Sequence, residues 1–500
     1  MTEPPMLQVG MKKAVPEFLR AISPKGLAAT LGLLFSLTWA GCALGPDYRK
    51  PSMELPASWR VAQETEARSG PIPDEGLASW WSVFQDPLLS SLIQGAMEGN
   101  LDLLAAETRI RQARASRRAS LGALGPQVEA SASFRHVRTP VEVPSGPAGE
   151  KKLKGIETDQ YETGFDASWE LDIFGGLRRA LEAADADLEA QLEARRDVLV
   201  SLAAEVAREY MELRALQERI RVARKNLEVQ EHTAEITRKR FEAGFASALD
   251  VSNARAQVAT TKGQIPVLLA LERQTIHRLS LLLGKEPGAL VDLLSKPAGL
   301  PKLPDLPPLG IPADLLRRRP DIRRAEAQLA AANARIGVAV AELFPKLRLV
   351  GGLSFQATDL ASWLEWTRRI WSVGPAVSWR IFETGKIRAE IERREALRDE
   401  ALLAYQQSVL EALKEVEDAL SAFLREEEHR KALEEAVKAN ERSVELALKL
   451  YIEGQTDFLN VLQAQRSLYS SEDELIQSLK NSSIQLISLY KALGGGWKEE

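Results

Sequence analysis

Two rhythms of apolar and polar residues divide this chain. Tyr161, Thr163, Phe165, Ala167, Trp169, Leu171 and Ile173 alternate with Glu162, Gly164, Asp166, Ser168, Glu170 and Asp172. A period of two predicts a strand with one apolar, aromatic face and one acidic face. Val373, Val377, Trp379 and Ile381 repeat the pattern against Gly374, Ser378 and Arg380. Each of these runs has a companion beginning just after a proline. Val128, Ala130, Ala132 and Phe134 follow Pro126, and Leu347, Leu349, Leu353 and Phe355 follow Pro345. Four strands of roughly 10 residues are therefore expected, a length that suits a tilted membrane β-strand.

The second rhythm is helical. Neither Gly nor Pro occurs from Leu177 to Ala243, nor from Lys386 to Glu453. Each stretch can form a helix on the order of 100 Å long. Leu199, Leu202, Val206, Leu213, Leu216, Ile220, Ala223 and Leu227 mark a coiled-coil seam in the first, and Val437, Val444, Ala447 and Tyr451 continue one in the second. Gly244 and Gly454 stop the two rods, because glycine takes the left-handed conformation that ends a helix. Second helices are expected from about Asp250 to Leu283 and from Phe458 to Leu493, so each half holds a helical hairpin. Further helices, Leu101–Leu124 and Ile322–Phe344, precede the strands.

These halves are copies of one another. An offset of 210 carries Trp169 to Trp379, Glu205 to Glu415, Gly244 to Gly454, Leu249 to Leu459, Val251 to Val461 and Gly284 to Gly494. Upstream the offset is 219 and carries Asp102 to Asp321, Glu107 to Glu326, Leu124 to Leu343 and Pro126 to Pro345. The first copy therefore has the longer loop between its strands. The expected division is a signal at 1–41, an extended arm at 42–85, a first repeat at 86–284 (strand pair 126–174, turn at 244), a linker at 285–312, a second repeat at 313–494 (strand pair 345–382, turn at 454) and a tail at 495–500. The expected fold class is mainly α with membrane β, although a soluble half-buried sheet would give the same alternation. Four strands cannot close a barrel, for which about eight are the minimum, so if the strands span a membrane, copies must share one barrel.

The N-terminus changes the compartment. Lys12, Lys13, Arg20 and Lys25 precede an apolar run from Gly26 to Trp39 that is too short to span a bilayer, and Ala40, Gly41 and Cys42 follow. The single cysteine of the chain stands where a lipoprotein signal places its acylated thiol, so Cys42 is the expected lipid-attachment residue and covalent lipid the only expected cofactor; the alternative is an exported protein with an unmodified thiol. Pro46, Pro51 and Pro56 make the following segment extended.

Composition removes other functions. Lys and Arg total 65 against 70 Asp and Glu, which lacks the basic surplus of a nucleic-acid binder. One cysteine and four histidines, His136, His232, His277 and His429, match no metalloenzyme spacing. Gly351-Gly352 and Gly494-Gly495-Gly496 lack the lysine of a phosphate loop. No catalytic or metal-binding residues are expected. Arg317–Arg319 should pair with acids on neighbouring helices, and Glu426–Glu428 should form a solvated face.

Several motifs in order resemble the TolC-type outer-membrane efflux channels, in particular their NodT-like lipoprotein branch. They are Gly45-Pro46-Asp47-Tyr48, Trp80-Trp81 with Phe84, Asp86 and Pro87, Asn100 with Asp102, Trp169 through Gly175, Leu315 through Ile322, and Gly454 through Gln465. The resemblance implies a homotrimer with a twelve-stranded barrel in the outer membrane and an α-helical barrel across the periplasm. It implies docking through the helical tips with a periplasmic adaptor and an inner-membrane transporter of RND type or similar, and passive exit of drugs, metals or similar toxic compounds. Where the family places aspartates in the second tip, this chain has Asn460 and Gln463. Asp457 and Asp250, with Asn253 as the first-copy equivalent of Gln463, could restore a polar or acidic gate ring. Both aspartates could instead cap helices. The alternative function is a lipid-anchored periplasmic adaptor, which would carry a single hairpin.

Overall fold

The structure is a computed structural model, and it describes residues 43–61, 74–144, 151–304, 306, 309–310 and 312–498. The signal segment and Cys42 lie outside the described residues. The chain divides into two compact units.

The first unit comprises residues 43–47, 119–182 and 334–394 among those described. Its centre is an antiparallel sheet of β1 (Gln127–Pro144), β2 (Lys151–Leu171), β3 (Lys346–Ala357) and β4 (Arg369–Ser378), in that order. Strands of roughly 10 residues were expected, but β1 and β2 have 18 and 21. The pairing continues from Phe134 and Tyr161 to Pro144 and Lys151, although the apolar alternation has stopped. At the other end, Trp379 and Ile381, expected on the last strand, lie beyond it. Lys346 pairs with Ser378, and Pro345 just before it has no N–H with which to extend the ladder.

The second unit comprises residues 48–118, 183–333 and 395–498 among those described. Short α1 (Asp74–Ala78) and a 3-10 turn (Trp80–Phe84) lead into α2 (Pro87–Gly99), which the sequence reading passed over, and α3 (Leu101–Gly122). The rods are α4 (Gly176–Glu242) and α9 (Lys386–Ile452), whose first residues, to 182 and 394, belong to the first unit, and their return helices are α5 (Ala248–Leu282) and α10 (Phe458–Ala492). Between the copies lies α6 (Val291–Leu294), and the second copy opens with α7 (Leu315–Arg318) and α8 (Pro320–Ala341). Among the described residues, no helix is long and apolar enough to cross a membrane.

The core of this unit changes three expectations. The arm is not extended throughout, because α1 and the 3-10 turn lie within it, and its Trp59, Leu77, Trp80 and Phe84 are buried, with Trp80 stacked on Tyr490 at 5.4 Å. The linker is part of the core, since Leu290, Leu294 and Leu309 sit in the same cluster as Tyr210, Met211 and Tyr405. The tail is a latch. Gly496 donates its N–H to the Leu77 carbonyl, and the Trp497 ring lies 4.7 Å from the Arg196 guanidinium and 5.3 Å from that of Arg323. Those two arginines also hold buried Glu193, at 2.5 and 2.9 Å. Burial pushes the Glu193 carboxyl above its usual range although both arginines oppose the shift.

The repeat persists in these contacts. Buried Asn100 donates from Nδ2 to the Leu282 carbonyl at 2.9 Å, and at the equivalent place Arg319 donates from Nη1 to the Ala492 carbonyl at 3.0 Å. Arg319 also meets Asp321 at 2.6 Å and Glu415 at 2.7 Å. Of the acidic triplet, Glu427 pairs with Arg430 and Glu426 accepts from Ser478 of α10. That part of α9 is therefore a helix contact and not simply a solvated face.

Candidate functional site

The sheet has two chemically distinct faces, assembled by its register. Alternation places Val128, Ala167, Gly351 and Val373 in one row, Ala130, Phe165, Leu353 and Trp371 in the next, and Ala132, Thr163, Phe355 and Arg369 beyond. Trp169, Leu349 and Pro375, then Leu171, Leu347 and Val377, extend the same face the other way. Phe134, Phe165, Trp371 and Val373 are exposed. From Leu171 to Tyr161 this apolar band runs about 34 Å along β2, or about 26 Å in height at a tilt near 40°, which matches the hydrocarbon belt of a membrane barrel.

The opposite face carries Glu129 beside Asp166, Ser131 beside Gly164, and Ser133 beside Glu162. Glu170 binds Arg348 at 3.1 Å. The other charges expected on this face are engaged elsewhere. Asp172 accepts the backbone N–H groups of Leu177 and Arg178 and so caps α4. Lys346 and Arg380 both meet Glu342, a residue the sequence reading did not single out. Within the band the charges that remain on this face are acidic, Glu129, Glu162 and Asp166; beyond its Tyr161 end Arg135 lies opposite Gln160 and Lys154 opposite Val141.

Both edges of the sheet are open. Among the described residues β1 pairs only with β2 and β4 only with β3, which leaves two ladders of backbone donors and acceptors unmatched.

Equivalent tryptophans fix the Leu171 end of the band. Trp169 Nε1 donates to the Leu124 carbonyl at 2.8 Å and Trp379 Nε1 to the Leu343 carbonyl at 3.0 Å. The start of the arm is clamped at this level. Leu44 donates to the Phe174 carbonyl at 3.1 Å, and Arg179 reaches the Leu44 carbonyl at 3.1 Å and Asp47 at 2.6 Å.

The hairpin tips are built alike and capped differently. Gly244 (φ 82°) and Gly454 (φ 78°) take the left-handed conformation, and Phe245 and Gln455 donate back to the carbonyls of Arg240 and Leu450. Both rods thus end in a Schellman turn. In the first tip Ser247 caps α5, and Asp250 completes a capping box by accepting the Ser247 N–H at 3.0 Å. In the second, Asp457 holds the capping position of α10 but its side chain makes no capping bond. Asn460 donates to Thr456 at 2.7 Å. Asp457, Asn460 and Gln463 are exposed, whereas Asp250 and Asn253 are half-buried.

Asp250 and Asn253 stand in the opening turns of α5, and Asp457 at the cap and Asn460 and Gln463 in the opening turns of α10. The two tips are joined by residues the sequence reading missed. Arg240 donates to the Ile452 carbonyl at 2.8 Å and lies over the Tyr451 ring, Gln465 donates to Thr233 at 2.9 Å, and Arg466 to Gln257 at 2.7 Å.

Comparison with known proteins agrees with this architecture. The family pattern described as outer membrane efflux protein matches residues 92–285 and 311–495. The toluene efflux pump outer membrane protein TtgF of Pseudomonas putida is 33% identical over 476 residues, covering 93% of this chain and 96% of its own length. The pyoverdine export outer membrane protein OpmQ of Pseudomonas aeruginosa is 32% identical over 466 residues, with 93% and 96% covered. Among solved structures, the outer-membrane channel OprN aligns with a TM-score of 0.83 at 36% identity, covering 91% of this chain and all of its own. CusC, whose structures describe transmembrane channel formation, aligns at 0.79 and 28% identity with the same coverage. The adaptor alternative does not survive these matches, which are to outer-membrane channels along nearly the whole chain.

Proposed function

The chain belongs to the outer membrane efflux protein family and is the outer-membrane channel component of a tripartite efflux pump; on that premise we propose that three copies close the duct. The observation that carries this is the open sheet: four strands with two unmatched edges need partners, and β1 of one copy is the natural neighbour of β4 of the next. Twelve strands then enclose a bore whose charges at the level of the apolar band are Glu129, Glu162 and Asp166, with Arg135 beyond them, and this acidic surplus favours cationic and neutral cargo. Export is passive, with no catalytic step in this chain, and the cargo is small toxic compounds.

Cys42 carries the lipid. The clamp of Leu44 and Asp47 by Arg179 supports this, because it holds the arm beside Phe174, where the apolar band ends and acyl chains can enter the bilayer. The adaptor and the inner-membrane transporter engage the helical tips. Asp457 supplies the acidic ring at the periplasmic entrance, since Asp250 is already held in its capping box.

Detergent-solubilised protein should run as a trimer by light scattering and conduct in planar bilayers. Cysteines placed in pairs along β1 and β4 should crosslink between chains. A monomer without conductance overturns the assembly.

A further inference from the structure

The segment joining β3 to β4 holds its charges in internal ion pairs, Arg368 with Asp359 at 3.8 Å and with Glu365 at 3.7 Å, and leaves an apolar set uncovered beside them. Leu360, Leu364 and Trp366 are each about two-thirds exposed, at 64%, 66% and 66%. A loop at the mouth of a duct has two places to lie: over the opening, against the polar face of the sheet, or outside, against the apolar face. The contacts decide between them. The Trp363 ring lies 6.1 Å from Tyr161, which itself packs on Phe134 at 4.9 Å, and Trp366 lies 6.2 Å from Phe355. All three of those partners stand on the apolar face by register. Tyr161 belongs to β2, so the loop leans back across the end of β3 on the outer side of the sheet, and it leaves Ala357 only 3% exposed.

The loop is also shaped to stay there. Asp359 accepts the Ser362 N–H at 2.9 Å and its hydroxyl, a tight turn that presents Trp363 to Tyr161. Arg369, on the apolar face opposite Phe355, donates to the Trp366 carbonyl at 2.8 Å and sets its guanidinium 4.7 Å from the centre of the Trp366 ring. Exposed leucines, two tryptophans and a cation at the rim of an apolar band are the chemistry of a membrane interface.

We propose that residues 358–368 are an outer-leaflet anchor: Leu360, Leu364 and Trp366 lie among the acyl chains and headgroups of outer-leaflet lipid, with Arg369 at the level of its phosphates, and the loop is no lid over the channel. The inference rests on the apolar face meeting lipid, with which the loop's own apolar surface is continuous.

The test uses the assembled full chain in phosphatidylcholine vesicles. A polarity-sensitive fluorophore is placed at Leu364→Cys in the loop, at Leu353→Cys inside the band and at Val141→Cys on the distal part of β1, with the unsubstituted protein labelled in parallel as the blank. Lipid brominated near the headgroup should quench the label at 364 by about two-fold and leave that at 141 almost unchanged. Quenching at 353 without quenching at 364 overturns the anchor and leaves the barrel intact, whereas no quenching at 353 by lipid brominated at any depth overturns the barrel reading itself. If Leu364→Cys does not assemble, Leu360→Cys carries the same test.

Discussion

The two copies agree in their helices and disagree in their strands. Both rods have 67 residues and both return helices 35, yet the first strand pair has 18 and 21 residues and the second 12 and 10. Rods that line one tube must end at one level, so a single inserted residue would turn the apolar stripe by about 100° and lift the tip. Strands are free of that constraint once they leave the bilayer. The first pair continues as a polar ribbon, while the second stops at the band and folds its loop back with tryptophans. Duplication thus preserved what must register with neighbours and released what reaches water.

The same comparison, carried to single residues, yields experiments. The largest effect is expected where each return helix ends. A Cβ at Gly284 (φ +68°) would come 2.1 Å from the Gly99 carbonyl oxygen, whereas at Gly494 (φ +77°) the nearest atoms, in Arg318, are at 3.2 Å. Gly284→Ala should cost about 4 kcal/mol and Gly494→Ala about 2, read as loss of thermal stability of the solubilised assembly. Equal losses would mean that the copies are packed alike there.

Next in size is the pair formed by Arg319 and Asn100. Arg319→Ala strands Asp321 and Glu415 as well as a carbonyl and should cost about 3 kcal/mol; Asn100→Ala strands one carbonyl and a helix start and should cost about 2. An Asn100→Ala loss as large as that of Arg319→Ala would show that the added charges of the second copy contribute nothing. The tryptophans should behave as twins: Trp169→Phe and Trp379→Phe each remove one indole bond and should cost about 1 kcal/mol apiece. The smallest effects belong to the tips. Ser247→Ala should lose about 1 kcal/mol of local protection in hydrogen exchange at the start of α5, and Asp457→Ala only a few tenths at the start of α10. Asp457→Asn should instead lower the cation preference of the conducting channel, and Asp250→Asn should leave it nearly unchanged.

Much of this was legible in one dimension. The rods end beside Gly244 and Gly454 because glycine punctuates helices locally, and the face of the sheet around Phe165 was visible because alternation is a property of neighbours in sequence. The distal halves of β1 and β2 were not visible. There the pairs on the outward face are His136 with Asp159 and Arg138 with Glu157, and a strand with water on both sides has no reason to alternate. Leu290, Leu294 and Leu309 looked like a linker because their burial follows no period: they fill gaps left by helices on which they do not lie. The capping alternative for Asp250 was legible in sequence, and Ser247 three residues before it completes the signature; for Asp457 the same alternative fails, since its side chain makes no capping bond.

By itself the sequence determined the duplication, the lengths of the rods, the two faces of the sheet and the shortage of strands, all of which are written in spacings of a few residues or in one fixed offset. The tertiary structure decided which charges remain free. Arg319 finds Glu415 and the Ala492 carbonyl, Glu342 takes both Lys346 and Arg380, and Asp172 turns from the polar face to cap a helix. A titratable side chain reaches only a few ångströms, so its partner is set by which backbone passes within that distance, and no periodicity along the chain encodes it.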